Sequence, residues 1–262
     1  MTADSLLKTK VDLLPVTVYK TNEEMGQAAA SDATAVIKAA IDKKRSANII
    51  IATGNSQLTF LEALRGQKGI DWSKVTIFHM DEYIDLPGGH PASFPTFLRR
   101  HLLDHIPEPA AFYPVQARAG QLETDCAEYA RLLRRFPADL CAMGIGENGH
   151  IAFNDPPFAE FDDPVWVKVV RMDDVSRRQQ VGEGHFGSLD EVPTHAITLT
   201  IPALLAAERV FCIVPEGRKQ DAVYQTLNGP ITESCPASIL RQSTYVHLYL
   251  DSDAAAKVYP SL

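Results

Sequence analysis

Apolar runs alternate with helix-forming stretches along most of the chain. Thr21 and Glu24 have the spacing of an S/T-x-x-E capping box, and the sequence MGQAAASDATAVIKAAIDKK after them predicts a helix to about Lys44. The apolar run Asn48–Ala52 predicts a buried strand, and the pattern LTFLEAL that follows predicts a second helix. This part of the chain therefore has the order helix, strand, helix.

The same alternation continues through the rest of the chain. Strands are predicted over Val75–Met80, Asp139–Ile145, Val165–Val170 and Thr244–Leu250, and helices over SFPTFLRRHLLDHI and Glu123–Arg135. The segment AITLTIPALLAAERVFCIVPEGRKQDAVYQTL predicts strand, helix, strand and helix. Apolar strands separated by helices indicate a doubly wound α/β fold: a mainly parallel sheet with helices on both faces, in a Rossmann-like three-layer arrangement.

Four polar segments follow predicted strands: TGNSQ, MDEY, MGIGENGH and VPEGRK. In open α/β sheets, ligands bind at the carboxyl ends of the strands. We therefore expect these four segments to converge on one crevice.

The composition narrows the range of functions. A chain of 262 residues with 45% hydrophobic and 22% charged content is globular, and because no repeat or linker interrupts it we predict a single domain over residues 1–262. The net charge of −8 argues against binding to nucleic acid or to an anionic membrane surface. The four cysteines show no C-x-x-C spacing, and the chain has neither a membrane-length apolar run nor a signal-peptide pattern, so a cytoplasmic location is expected.

Two segments could hold an anion. In the first, Thr53, Gly54, Asn55 and Ser56 offer backbone N–H groups and two hydroxyls, although an ordinary turn with Ser56 as a helix cap is the alternative. In the second, Arg218 and Lys219 lie at the start of a predicted helix, where positive charge is unfavourable for the helix itself. A charge in that position suggests an anionic ligand; the alternative is a solvated surface.

The segment MGIGENGHIAFNDPP contains Gly144, Gly146 and Gly149 at the G-x-G-x-x-G spacing of a dinucleotide fingerprint. That fingerprint requires a helix to begin at the third glycine, because the helix N-terminus holds the pyrophosphate. Pro156 and Pro157 leave no room for such a helix. No nicotinamide cofactor is therefore expected.

His150 in the same segment is a candidate acid–base residue. Glu147, Asn148 and Asp155 are close to it in sequence and could fix its tautomer. The alternative is a histidine that only satisfies hydrogen bonds in the core. Because no second histidine stands at ligand spacing, no metal is expected.

Asp81 and Glu82 end a predicted strand, where adjacent side chains point in opposite directions, so only one of them needs to face the crevice. A partly buried carboxylate beside another carboxylate has a raised pKa, which suits a general base working near neutrality. A helix cap or a solvated turn is the alternative. The residues alone thus indicate a cofactor-free acid–base enzyme acting on a small anion, most plainly a phosphate ester.

These segments, in this order, resemble the glucosamine-6-phosphate deaminase family, with the 6-phosphogluconolactonases as more distant relatives. The likeness extends from about Val18 to Leu250 and depends on TGNSQ, MDEYIDLPGGHPASF, MGIGENGHIAFNDP, SRRQQ, VPTHAITLTIPALLAAERV and GRKQDAV. The lactonases tend to carry an arginine where Tyr83 stands and a different stretch after the histidine. MDEY and HIAFN therefore favour the deaminases.

The resemblance implies roles for the matched positions. Asp81 would be the general base at carbon 2 of an amino sugar, and His150 would open the sugar ring with an acidic partner at Asp155. The positions implied for substrate and phosphate binding are the TGNSQ turn, Glu82, Arg177 and Lys219.

Two positions depart from the family pattern. The usual D-G-H is Asn148-Gly149-His150 here, and the usual glutamate after HIAFN is Asp155. An asparagine can orient an imidazole but cannot stabilise its cation by charge. Either Glu147 compensates or the chemistry differs.

Three functions remain open at this point. The first is an aldose–ketose isomerase and deaminase that converts an amino-sugar 6-phosphate, foremost glucosamine 6-phosphate, to fructose 6-phosphate and ammonia. The second is a phosphosugar lactonase, and the third is a phosphosugar sensor without catalysis. The expected partner is a small sugar phosphate; the configuration of the sugar, a homo-oligomeric state and allosteric control are left open.

Overall fold

The computed structural model describes residues 4–87, 89–156 and 158–261. Pro157, one of the two prolines predicted to prevent a helix after Gly149, lies outside these residues. The described strands are β1 (Leu7–Val11), β2 (Leu14–Tyr19), β3 (Ala47–Ile51), β4 (Val75–His79), β5 (Asp81–Tyr83), β6 (Ala111–Tyr113), β7 (Leu140–Met143), β8 (Val167–Arg171), β9 (His195–Leu199), β10 (Arg209–Val214) and β11 (Val246–Asp251). The described α-helices are α1 (Asn22–Lys44), α2 (Leu58–Gly66), α3 (Phe94–His101), α4 (Leu122–Arg135), α5 (Asp174–Gly182), α6 (Ile201–Leu205), α7 (Gln220–Asn228) and α8 (Ser252–Ala255).

The main sheet of the described chain has the strand order β1, β2, β11, β10, β7, β3, β4, β6. Every neighbouring pair from β2 to β6 is parallel, whereas the edge strand β1 is antiparallel to β2. The chain winds outward from β3 through β4 to β6, returns to β7 beside β3, and winds the other way through β10 to β11. The turns after β3 and β7 therefore lie side by side at a topological switch point, where ligands bind in open α/β sheets.

Helices cover both faces of this sheet. Ile49 and Ile51 of β3 pack in one hydrophobic core with residues of α1, α2 and α3. Ile50 packs in a second core on the opposite face, with residues of α4, α7 and α8. Successive side chains of a strand point to opposite faces, so an all-apolar strand of this kind must be buried on both sides. The prediction of a doubly wound, mainly parallel fold with helices on both faces is confirmed.

The helix predicted to run to about Lys44 is α1. The Thr21 hydroxyl accepts a hydrogen bond from the Glu24 N–H at 3.2 Å, and the Glu24 carboxylate accepts one from the Lys20 N–H at 3.1 Å. The first bond satisfies a donor that the first turn of a helix leaves open, and the second holds the N–H of the residue before the N-cap. None of the described helices combines the length and the apolarity that crossing a membrane requires.

The strand predicted around Val165–Val170 does not join the main sheet. It forms β8, which pairs with β9, and β9 pairs in turn with β5; all of these pairings are antiparallel. The strand predicted to extend to Met80 ends at His79, after which Asp81–Tyr83 crosses to this smaller sheet. Asp81 therefore lies at the junction of the two sheets rather than on a strand that continues.

The hydroxyl of Tyr129, on α4, binds the backbone of His79, the last residue of β4. It accepts a hydrogen bond from the His79 N–H at 3.1 Å and lies 2.7 Å from the His79 carbonyl and 3.1 Å from the Tyr113 carbonyl, to which it can donate. The His79 ring is fully buried and accepts a hydrogen bond from the Val115 N–H at Nε2. Burial lowers the pKa of His79 to about 3, so this histidine is a neutral part of the core.

We predict that Tyr129→Phe lowers the free energy of unfolding by about 1 to 3 kcal/mol, because buried backbone groups of His79 lose their partner. The matched control is Tyr224→Phe, since Tyr224 is exposed and the change should stay within about 0.5 kcal/mol. Urea unfolding of both variants and the parent gives the comparison. Equal stability of all three proteins would show that the Tyr129 hydroxyl contributes nothing.

Candidate active site

A cleft opens at the carboxyl ends of β3, β4 and β7. Its lining includes the predicted residues Thr53, Gly54, Ser56, Asp81, His150 and Lys219, together with Ala52, Met80, Phe94, Gly144, Ile145, Gly146, Ala152, Phe153, Gln179, Gln180 and Glu183. Each of the four polar segments therefore contributes at least one residue to this cleft: TGNSQ, MDEY, MGIGENGH and VPEGRK. The expected convergence of these segments is observed.

Three side chains hold one nitrogen of His150. Its Nδ1 atom lies 2.7 Å from Asn148 Oδ1, 2.8 Å from Ser176 Oγ and 3.0 Å from Asp155 Oδ1. Ser176 and Asn148 in turn donate to Asp155 Oδ1. Because Nδ1 is surrounded by acceptors, it carries the hydrogen of the neutral ring. Nε2 is then the nitrogen free to accept a proton from a ligand.

Asp155 is the charged member of this cluster, and its side chain is fully buried. Burial alone would raise its pKa, but the hydrogen bonds and charge from His150, Ser176 and the Asp173 N–H outweigh burial and lower the pKa to about 2. Asp155 is therefore a carboxylate at neutral pH, and it can stabilise a positive charge on His150.

Two glycines shape the turn that carries His150. A Cβ atom on Gly146 would lie 2.1 to 2.3 Å from three atoms of the His150 ring, so the ring fits only against a glycine. Gly149 has φ of +84°, a conformation that side chains rarely adopt. Among the described residues between β7 and β8, none is helical. Gly146 and Gly149 therefore allow the turn to hold the His150 ring. In the described residues, no helix follows them as it does in a dinucleotide site.

Asp81 and Glu82 point in different directions, as predicted for neighbours on a strand. Asp81 lines the cleft, whereas the Glu82 carboxylate accepts hydrogen bonds from the Tyr83 N–H at 2.8 Å and the Phe94 N–H at 3.2 Å. Burial, and then the charge of Glu82, raise the pKa of Asp81 well above its ordinary value. Burial likewise raises the pKa of Glu82 to about 7. The Asp81 carboxylate is therefore a stronger base than an exposed aspartate.

The other end of the cleft carries the cation Lys219. Its side chain is buried beside the turn that contains Thr53, Gly54 and Ser56. Burial lowers the pKa of Lys219 to about 8, although the nearby charge of Glu183 opposes this shift. The amine is therefore cationic over most of the neutral range and can bind an anion.

Six residues assigned from the sequence do not line the cleft. Asn148 and Asp155 hold the His150 ring instead, and four others are turned away from the cleft. Glu82 binds the start of α3, as described above. The Glu147 carboxylate pairs with Arg218 at 3.2 Å, and the Asn55 amide donates to the Glu183 carbonyl at 3.0 Å. Arg177 donates to the carbonyls of Leu189 and Val192, at 2.7 and 3.0 Å. In the part of the chain that the structure describes, no hydrogen bond joins Glu147 to His150, so Glu147 does not replace the charge that Asn148 lacks.

Helix α5 contributes residues that were not predicted: Ser176, Gln179, Gln180 and Glu183. Their spacing is i, i+3, i+4 and i+7, which places them along one side of a helix and its continuation. In the sequence SRRQQVGE, polar residues at this helical spacing could have indicated a helix with one polar side facing a site. Arg177 belongs to a neighbouring side of the same helix, which is why it misses the cleft.

Comparison with known proteins identifies close relatives of the chain. The family model described as "Glucosamine-6-phosphate isomerases/6-phosphogluconolactonase" matches residues 20–248. The glucosamine-6-phosphate deaminase of Bacillus cereus (strain B4264) is 34% identical over 239 residues, which cover 91% of this chain and 87% of that protein. The protein of the same name from Bacillus thuringiensis (strain Al Hakam) is 33% identical with the same coverage of both chains.

Solved structures give a similar result. A monomeric glucosamine-6-phosphate deaminase superposes with a TM-score of 0.85 and 29% identity, covering 92% of this chain and 99% of that one. A 6-phosphogluconolactonase from Shewanella baltica OS155 superposes with a TM-score of 0.74 and 21% identity, covering 93% and 98% of the two chains. At the lower identity, the second likeness indicates the fold alone.

We predict that Gly146→Ala displaces the His150 ring, because the new methyl group would overlap three ring atoms. A crystal structure of the variant should show His150 Nδ1 separated from Asn148 and Asp155. Gly182→Ala, at the end of α5 with nothing within 4 Å of its added Cβ, is the control and should leave the ring in place. An unmoved His150 ring in Gly146→Ala would contradict the proposed reason for this glycine.

Proposed function

The chain belongs to the glucosamine-6-phosphate isomerase and 6-phosphogluconolactonase family, and from that premise we propose that it is an aldose–ketose isomerase and deaminase acting on glucosamine 6-phosphate. One observation carries the proposal. Asp81 and His150 line the same cleft as Lys219 and the Thr53–Ser56 turn, so acid–base groups and an anion site share one cavity.

The acid–base groups suit the steps of this reaction. Nε2 of His150 takes the proton of the hydroxyl at carbon 1 and the ring oxygen receives a proton as the bond from carbon 1 to that oxygen breaks, which gives the open-chain aldehyde. Asp81 then removes the proton from carbon 2, giving an enolamine, and returns it to carbon 1. Water adds to the resulting imine at carbon 2, and the products are fructose 6-phosphate and ammonia.

The buried environment favours the base step. A carboxylate with an ordinary pKa is a weak base at neutral pH, whereas the raised pKa of Asp81 brings its basicity closer to what proton abstraction beside a carbonyl needs. The nearby Asp155 supports a transient positive charge on His150. Asn148, Asp155 and Ser176 all contact Nδ1 of His150 and so fix the orientation of its imidazole ring.

Lys219 and the turn formed by Thr53, Gly54 and Ser56 are proposed to bind the phosphate. A second cation, Arg218, lies close to this end of the cleft, where it pairs with Glu183 at 2.9 Å. We assign no phosphate contact to Arg177, because its guanidinium is engaged by backbone carbonyls.

Two further features are proposed for the whole chain. Residues 1–262 are taken as a single domain, since one hydrophobic core already includes residues from Leu14 to Ala255. A cytoplasmic location is proposed because the four cysteines are free and buried, which suits a reducing compartment.

The decisive experiment is ammonia release from glucosamine 6-phosphate by the parent and by Asp81→Asn. We predict that Asp81→Asn lowers kcat at least about a hundredfold, because the amide keeps the shape of the side chain but cannot accept the proton. Asp85→Asn, on the exposed turn after β5, is the control and should retain the parent rate. A parent inactive on every amino-sugar phosphate would refute the proposed reaction, and an active Asp81→Asn would refute the role of Asp81.

The pH dependence tests the influence of Glu82. Asp81 must be ionised to act as a base, so the rate rises as pH increases through its pKa. Glu82→Gln removes a negative charge that raises this pKa, and we predict that the acidic limb of the kcat/KM profile moves to lower pH. Glu62→Gln, whose side chain is 74% exposed, should leave the profile unchanged. An acidic limb that stays in place or moves upward in Glu82→Gln would contradict the coupling.

A further inference from the structure

A carboxylate already occupies the end of the cleft where the proposed phosphate site lies. The side chain of Glu183, just beyond α5, is 4% exposed and lines the cleft with Gly54 and Lys219. Its Oε2 atom lies 3.7 Å from the position that a Cβ atom on Gly54 would take. The Asn55 amide, in the same turn, donates to the Glu183 carbonyl. Glu183 is thus held directly against the turn.

The polar contacts of this carboxylate are those of a bound anion. Glu183 Oε1 accepts hydrogen bonds from Arg218 Nη1 at 2.9 Å and from Gln179 Nε2 at 2.8 Å. Oε2 lies 3.3 Å from His185 Nε2. Burial alone would raise its pKa, but the close contact with His185 and the charges of Arg218 and Lys219 lower it to about 2. The group is therefore ionised throughout the neutral range.

A phosphate at this end of the cleft would meet Glu183 as a like charge. Two negative groups a few ångström apart in a partly buried site repel each other strongly, and both need the same cations. Arg218 is also shared with Glu147 and Glu216, so little of its charge remains for a ligand. The phosphate and the Glu183 carboxylate cannot both have full use of Arg218 and Lys219.

We infer that Glu183 is an internal anion that competes with the substrate's phosphate for Arg218 and Lys219, and that it thereby determines which ligands the site accepts. A phosphate, with two negative charges and more acceptor oxygens, can replace the carboxylate. A sugar without an anionic group cannot, because it would take the Glu183 carboxylate away from Arg218 and Lys219 without replacing its charge. The inference rests on the proposed function in one respect, namely that the ligand of this cleft is a phosphorylated sugar.

The opposite role for Glu183 makes the opposite prediction. If the carboxylate only orients Arg218 and Lys219 for the phosphate, its removal would weaken phosphate binding. If it competes with the phosphate, its removal strengthens phosphate binding. The sign of the change therefore decides between the two roles.

The test compares Glu183→Gln with the parent. The amide has nearly the same shape and can still accept from Gln179 and Arg218 through its oxygen, so folding should be retained. Inorganic phosphate is titrated into each protein by calorimetry, and KM and kcat are measured for ammonia release from glucosamine 6-phosphate. We expect Glu183→Gln to lower both the Kd for phosphate and the KM about tenfold, with little change in kcat.

Glu216→Gln is the matched control, because Glu216 binds the same arginine but does not line the cleft. It should change the Kd for phosphate much less than Glu183→Gln does. An unchanged or weaker affinity for phosphate in Glu183→Gln would overturn the inference, as would equal effects of the two substitutions.

A crystal structure of the parent with phosphate provides a second measurement. The inference predicts that the Glu183 carboxylate and the Arg218 guanidinium separate beyond 4 Å when phosphate binds. Phosphate bound beside an intact Glu183–Arg218 pair would overturn it. Phosphate titration does not depend on catalysis, so a parent that releases no ammonia would refute the proposed reaction and leave this inference to be judged on the affinities.

Discussion

The reversal of winding between β3 and β7 is the constraint on which the site depends. Parallel strands end at the same edge of a sheet, so two neighbours that lead to opposite halves of the fold leave a gap between their following turns. The turn with Gly54 lies on one side of this gap and the turn with His150 on the other. The residues of the site are far apart in sequence, but the topology requires them to be close in space. The same edge supplies backbone N–H groups, since β3 is followed by a short turn that leads into a helix.

Asp81 and Asp155 are both buried, but their pKa values are shifted in opposite directions. Asp81 has a second carboxylate, Glu82, as its neighbour, and its pKa is raised. Asp155 contacts His150 and receives hydrogen bonds from Ser176 and the Asp173 N–H, and these lower its pKa to about 2. Desolvation acts on both groups in the same direction, so the difference arises from the number of donors and the sign of the nearby charge. One residue type can therefore serve as a base and as a permanent counter-charge within a single cleft.

Much of the fold could be predicted because its signals are local. The capping bonds of Thr21 and Glu24 and the apolar run of β3 need only a few residues to be recognised. The smaller sheet could not be predicted in this way, because apolarity alone does not tell which sheet β8 joins. Helix α5 was missed because the side of the helix that it buries is polar, so hydrophobic periodicity gives no signal. Arg177 was assigned to the phosphate from the matched sequence alone. Because neighbouring residues of a helix point about 100° apart, Arg177 does not share the direction of Ser176, which contacts His150.

The departure at position 148 has a physical explanation in the hydrogen bonds around His150. The Asn148 amide accepts from His150 Nδ1 through its oxygen and donates to Asp155 Oδ1 through its nitrogen. An aspartate at this position could accept from the ring but could not donate, and it would place a second carboxylate beside a buried Asp155. The repulsion between two such groups would raise the pKa of at least one of them. The amide avoids this repulsion, so Asn148 can contact both the His150 ring and the Asp155 carboxylate while adding no charge.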